Sequence, residues 1–242
     1  HMGPLPAFKP RERNIKRILG HRSWHINRKH HHLTKTLDSL KSDIQEQSIQ
    51  HICVTGDTTN LGLTAEYERT KDWLLSAGTA DTVSLIPGNH DAYGKNYRRD
   101  MTNIWQPFGC DHFPYVHKTG PVAIIGLSSA VPTAPFFANG RVDDAQCDAL
   151  AQILEDTKTE GLVRIVMLHH PPKDGRTTKR KALWSPQKLQ DTLTRHGAEL
   201  ILHGHTHSRK LYDLNGIPVL DCGSSSYGSQ DDHHTGHYNI IE

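Results

Sequence analysis

Leu85-Ile86-Pro87-Gly88-Asn89-His90-Asp91 is the stretch on which the reading of this chain turns. An apolar, β-rich run from Val83 to Ile86 stops at Pro-Gly, and three side chains able to bind metal or carry protons follow at once. Proline cannot continue an inner ladder, and glycine permits an unusual backbone turn. The pattern predicts a strand end that sets Asn89, His90 and Asp91 on one rim of a sheet. Pro-Gly-Asn is also ordinary turn chemistry, so the stretch alone does not decide. Two other stretches share its design. Ile52-Cys53-Val54-Thr55-Gly56-Asp57 is an apolar run, a Gly and a carboxylate. Leu200-Ile201-Leu202-His203-Gly204-His205-Thr206-His207 is an apolar run, a Gly and two His one residue apart. Three strand ends of this kind point to one metal-binding rim.

Working outward, 242 residues suffice for one α/β domain with a sizeable core, so residues 1–242 are read as a single unit. A net charge of +2 predicts neither nucleic-acid nor membrane attachment for the whole molecule. Locally, Lys9, Arg11, Arg13, Lys16, Arg17, Arg22, Arg28 and Lys29 face the single acid Glu12 between residues 9 and 32. Such a run is ordinarily a solvated face, and it can also guide an anionic substrate. Cys53, Cys110, Cys147 and Cys222 are scattered without a C-x-x-C pair, which argues against structural zinc and disulfides and for the cytoplasm. No apolar run reaches membrane-spanning length, and no signal peptide is visible.

Residues 11–20 and 23–49 read as helices, the second with Leu33, Leu37, Leu40 and Ile44 in one stripe. Thr64 to Ala77 reads as a helix with Thr64 as N-cap, Tyr67, Trp73 and Leu74 inward, and Gly78 ending it. Strands are expected at 82–86, 122–127, 163–168 and 199–202, and a helix at 143–157. Ser185-Pro186 has the form of a helix start. Residues 210–214, 218–220 and 237–241 are expected as a terminal group of short strands, with Asn215-Gly216 as a hairpin turn. Alternating strands and helices with a β-rich end predict two sheets with helices outside.

The candidate ligands are then Asp57, Asn89, His90, His169, His205 and His207. Carboxylate, amide oxygen and imidazole together suit Mn, Fe, Co, Ni or Zn better than Mg or Ca. Alone, each has a bland reading: a capping Asp, a turn Asn, a strand-end His held by a carbonyl. His205 and His207 alternate and share one side of an extended segment; His203 shares that side but precedes the Gly and reads as structural. His233, His234 and His237 read as surface residues, and 173–181 as a solvated basic loop with some scope for gripping phosphate.

In order and spacing, Gly56-Asp57, Gly88-Asn89-His90-Asp91, the His before Pro and Gly204-His205-Thr206-His207 resemble the motifs of the calcineurin-like metallophosphoesterases. The resemblance implies a four-layer αββα sandwich of two mixed β-sheets, with two divalent metals at the strand ends. Asp57 would be the bridging carboxylate; Asn89, His169 and His205 would complete one metal, and His207 would serve the other. His90 would protonate the leaving oxygen or stabilise charge on the phosphate, with Asp91 orienting it. His170 is the alternate to His169. The expected reaction is hydrolysis of a small phosphoester, most simply a phosphodiester. Two cations about 3.5–4 Å apart offset the substrate's charge, clamp its oxygens and make hydroxide available near neutral pH, and a nearby His supplies the proton the leaving alkoxide needs.

One departure stands out. The family opens with Asp-x-His, and in close relatives that motif runs on as His-hydrophobic-Gly-Pro-Leu-Pro. Here His1-Met2-Gly3-Pro4-Leu5-Pro6 puts His1 at the motif's His, with no Asp before it. The expectation is a first strand and one ligand lost by truncation, so that only one metal is held firmly; a cloning remnant is the competing origin of His1. A non-catalytic phosphate-binding scaffold is therefore the alternative to an enzyme. A nuclease, motivated by the basic residues 9–32, is a third reading, with nucleic acid not favoured as partner.

Overall fold

Six α-helices and eight strands are set out along the chain in a computed structural model that describes residues 1–7, 9–228 and 235–242. Helices α1 (Ile15–Ile26) and α2 (Thr34–Glu46) precede β1 (Ile52–Val54), α3 (Thr64–Ala77), β2 (Val83–Leu85) and α4 (Tyr97–Trp105). There follow β3 (Tyr115–Thr119), β4 (Val122–Gly126), α5 (Asp144–Thr159), β5 (Val163–Met167), α6 (Gln187–His196), β6 (Leu200–His203), β7 (Arg209–Leu214) and β8 (Ile217–Cys222). β1 and β2 pair in parallel as one sheet, and the other six strands form a second in the order β3-β4-β5-β6-β8-β7. In that sheet β4, β5, β6 and β8 are parallel, and the edges β3 and β7 are antiparallel. Buried parallel strands need apolar residues on both faces, which is why β4 to β6 are rich in Val, Ile and Leu, with Arg164 in β5 as an exception.

Three apolar clusters mark the layers. Tyr67, Leu74, Leu85, Met101 and Trp105 join α3 and α4 to the small sheet. Ile86, Ile124, Met167 and Leu202 fill the space between the sheets. Leu127, Leu150, Leu154, Val166, Leu193 and Ile201 join the large sheet to α5 and α6. The result is an αββα sandwich whose parallel strands end on one rim. A cavity of about 1170 Å³ lies between β1, α2 and β8, lined by Leu37, Ile44, Ile52, Val54, Ile124 and Leu220 among others. Among the described residues, no helix is long and apolar enough to cross a membrane.

Several local expectations are corrected. α1 runs through the gap expected at 21–22, opened by the Asn14 side chain accepting from the Arg17 amide at 2.8 Å. The helix expected over 23–49 is broken at 27–33, where Arg28 and His32 are carried towards the strand ends. Thr64 is the first helical residue of α3, not its cap. The start is satisfied by Glu66, whose carboxylate accepts from the amides of Asn60, Leu61 and Leu63. Ser185 has φ 48 and caps nothing; α6 starts after Pro186. Residues 237–241 form no strand. Asn215 and Gly216, both at positive φ, make the β7–β8 turn as the sequence suggests. His233 and His234 lie outside the described residues.

Candidate metal centre

The segments following β1, β2, β5 and β6 converge at the rim, and backbone geometry there depends on two glycines. Gly56 has φ +94, and a Cβ on it would lie 2.6 Å from the Gly88 amide; a Cβ on Gly88 would collide with the Asp57 carboxylate. The two loops touch because neither has a side chain. Asp57, His205 and His207 all sit at positive φ (55, 71 and 55). Non-glycine residues are held there only where surroundings over-determine them, commonly at functional sites.

Asp57 is the hub. Its Oδ1 accepts from the His90 amide at 2.7 Å, while Oδ2 lies 3.3 Å from His169 Nε2 and 3.9 Å from His1 Nε2. Around it are two donor sets, Asp57–His169–His205 and His1–Asp57–His207, each with its ligand atoms within 4.8 Å of one another. Asn89 adds an oxygen 3.3 Å from His169 Nε2. The carbonyl of Thr55 can only accept, so His169 Nδ1, at 2.7 Å, carries the hydrogen and a neutral ring leaves Nε2 bare. His1 repeats the arrangement, with Nδ1 2.9 Å from the Thr59 carbonyl. Lone pairs on Nε2, carboxylate and amide oxygen thus face one another, and the buried His205 Nε2 has no hydrogen-bond partner among the described residues. Such a set fits divalent cations, and the donor chemistry fits first-row transition metals.

Charge balance agrees. Burial works against the Asp57 carboxylate, but His169 and His90 outweigh it and hold its pKa well below the usual range. Asp57 in turn outweighs burial at His169 and raises its pKa, so the two form an ion pair whose proton a cation would displace. Burial drives His205 to about 3 and His207 to about 4, which keeps both rings neutral with lone pairs to give. His170 differs from His169: its Nδ1 is 2.8 Å from Ser129 Oγ and its Nε2 is 3.1 Å from the Ala138 carbonyl, so neither nitrogen is open. His203 is likewise committed, to the Gly204 carbonyl and the Tyr212 hydroxyl.

His90 faces the same opening. Its Nδ1 lies 2.8 Å from the Asn60 carbonyl, and its ring stacks on Tyr93 at 4.9 Å. Burial and the Arg28 cation hold its pKa well below the ordinary imidazole range. Asp91 departs from expectation. No bond joins its carboxylate to the His90 ring; it accepts instead from the amides of Asp57, Gly88 and Thr59 at 2.8–2.9 Å, bracing the two loops that carry Asp57 and Asn89.

Sequence reasoning missed the surroundings. Arg28 Nη2 lies 3.0 Å from His90 Nδ1, and its buried Nε has no partner among the described residues. His32 packs 4.5 Å from His1 and holds Ser226 at 2.8 Å. Asp221 takes the hydroxyls of Ser208 and Thr206, fixing the turn that carries His205 and His207. The basic run 9–32 was the available signal for Arg28; nothing in the spacing singled out Asp221.

Residues 22–209 match the family described as calcineurin-like phosphoesterase. A probable cyclic nucleotide phosphodiesterase of Synechococcus sp. is 29% identical over 191 residues, covering 76% of this chain and 68% of that protein. A dimetal phosphatase from Danio rerio superposes with a TM-score of 0.58 at 15% identity, covering 78% of this chain and 76% of that one. A Thermus thermophilus protein does so at 0.53 and 14%, covering 78% and 83%. With the fold, the rim and the match over most of its length agreeing, the chain belongs to the calcineurin-like phosphoesterase family.

Proposed function

We propose that this chain is a metal-dependent phosphodiesterase acting on small phosphodiesters. The observation that carries the reading is the Asp57 carboxylate placed between two imidazole sets, 3.3 Å from His169 and 3.9 Å from His1. Asp57 would be shared by two divalent cations; Asn89, His169 and His205 would complete one set, and His1 and His207 the other. Mn, Fe, Co, Ni or Zn suits these donors. When bound, the pair offsets the phosphoester's charge and makes hydroxide available near neutral pH. The relative named a probable cyclic nucleotide phosphodiesterase favours diesters over monoesters.

The chain's own residues do the rest. The Asn60 carbonyl pins His90 by Nδ1, leaving Nε2 to exchange a proton with the ester oxygens. An anionic substrate offsets the burial and the Arg28 charge that otherwise keep the ring neutral. Arg28 grips a non-bridging phosphate oxygen, for which its planar fork is suited. Asp91 acts through the backbone of both loops. Residues 1–242 work as one metallophosphoesterase domain, and the four cysteines, all free thiols, favour a cytoplasmic setting.

The test is hydrolysis of bis-para-nitrophenyl phosphate with added Mn²⁺, together with elemental analysis of the bound metal. Turnover that collapses in Asn89→Ala and His90→Ala is expected. Bound metal with no turnover, unchanged by either substitution, supports instead a phosphate-binding scaffold.

A further inference from the structure

α1 presents its apolar stripe outward. At about 100° per residue, Arg17, Gly20 and Trp24 share one face, and these three are its buried residues. Ile15, Leu19, Arg22 and Ile26 fall within about 60° of one another on the opposite face, with Ile18 beside them. Ile15 is 72% and Ile26 66% exposed. A surface helix ordinarily turns such a stripe to the core. Alongside lies the loop bearing Phe136, 80% exposed, and Phe137; Lys16 ties it to α1 through Thr133 Oγ1 at 2.5 Å and the Phe137 carbonyl at 3.2 Å. Two exposed apolar elements thus adjoin.

Charge says what covers them. α1 contains no acidic residue, and Arg11, Arg13, Arg22 and Lys29 lie along or beside it against the single acid Glu12. A symmetric contact with a second copy would bring this cationic helix against itself, with Arg22 in the centre of the stripe. A nucleic acid would match the charge and leave the isoleucines and Phe136 in water. An anionic lipid surface satisfies both, taking the apolar side chains at the acyl boundary and the cations at the headgroups. We propose that α1 and the 133–137 loop form a docking surface for anionic phospholipid membranes. The whole-chain charge of +2 conceals it. The surface borders the metal centre, since Lys16 lies 4.6 Å over the Tyr93 ring that stacks on His90, but its assignment does not rest on hydrolysis.

The test is co-sedimentation with vesicles of phosphatidylcholine alone and of phosphatidylcholine mixed with phosphatidylglycerol, for the wild type, Ile15→Ser/Ile26→Ser and Arg22→Glu. Circular dichroism and the melting temperature serve as fold controls, since all three side chains are outside the core. The wild type is expected on the mixed vesicles only, less at high salt, with each variant weakened on the order of tenfold. No sedimentation with the mixed vesicles, or equal sedimentation of folded variants, overturns the proposal. So does a concentration-dependent dimer, seen by light scattering, that the same substitutions abolish, or binding of a DNA duplex in place of vesicles.

Discussion

Asp91→Asn separates bracing from chemistry. The Asp91 side chain is fully buried. Oδ2 accepts from the Asp57 and Gly88 amides, and Oδ1 from the Thr59 amide and hydroxyl. An asparagine keeps one oxygen. Turned towards Thr59, it sets an NH₂ group against the Asp57 and Gly88 amides, leaving two buried donors unpaired. Each such donor costs about 1–3 kcal/mol, so two cost about 2–6 kcal/mol, with about 3 kcal/mol expected once the loops relax. The carboxylate is itself under pressure, pushed up to about 6 by burial and Asp57, which places the loss at the lower end of that range. For a chain of this length, about 3 kcal/mol lowers the melting temperature by about 6–12 °C. Thermal unfolding followed by circular dichroism, on metal-free protein, reads it. A variant that melts within about 2 °C of wild type while losing turnover would refute the bracing role and return Asp91 to orienting His90.

Asp57→Ala is expected to abolish binding of both cations, whereas His205→Ala or His207→Ala each removes one; inductively coupled plasma measurement of metal per chain distinguishes the two outcomes. Arg28→Met is expected to raise KM for a diester on the order of tenfold, with bound metal unchanged and weaker inhibition by inorganic phosphate; an unaltered KM would remove Arg28 from substrate contact. His51, 2.9 Å from Ser84 and with its ring tilted against that of His117, is lowered to about 4 by burial and then His117. Its neutral form belongs to the fold, so its contribution is full above about pH 6.5 and is lost as pH falls towards its folded value. Between pH 7.5 and 5, on the order of 1 kcal/mol, halved for incomplete burial, is expected to go, and urea unfolding of His51→Asn should lack that share. Arg164, which donates to Glu199 and to the Leu154 and His196 carbonyls, ties β5 to α5 and to the end of α6; Arg164→Ala is expected to destabilise by about 2–4 kcal/mol in urea.

The rim was legible because its logic is local. An apolar run that stops at Gly fixes both where a strand ends and which side chains follow, and this holds for Asp57, Asn89 and the 205–207 pair without any knowledge of neighbours. The layers were legible for a related reason, since doubly buried strands admit few polar residues and helices between them carry visible stripes. What escaped depends on approach between distant segments. Arg28 and Asn60 are separated by 32 positions, yet both meet His90, because the 27–33 break turns the chain towards the rim. No period or cap encodes that break. Glu66, in the first turn of α3, is likewise buried and accepts from three amides of the loop after Asp57.

The same distinction explains why Asp91 was misplaced. A carboxylate beside a candidate catalytic His suggests an orienting partner, and the sequence holds nothing against it. Yet Asp57, at φ 55, and Gly88, which tolerates no Cβ, bring two amides to one point, and only a buried acceptor can satisfy both. The adjacent carboxylate is thus consumed by backbone geometry before it can reach the imidazole, and His90 takes its fixed position from the Asn60 carbonyl instead. At this rim the candidate ligands are set by strand ends, and their spacing is held by a carboxylate bonded to the backbone amides of both loops.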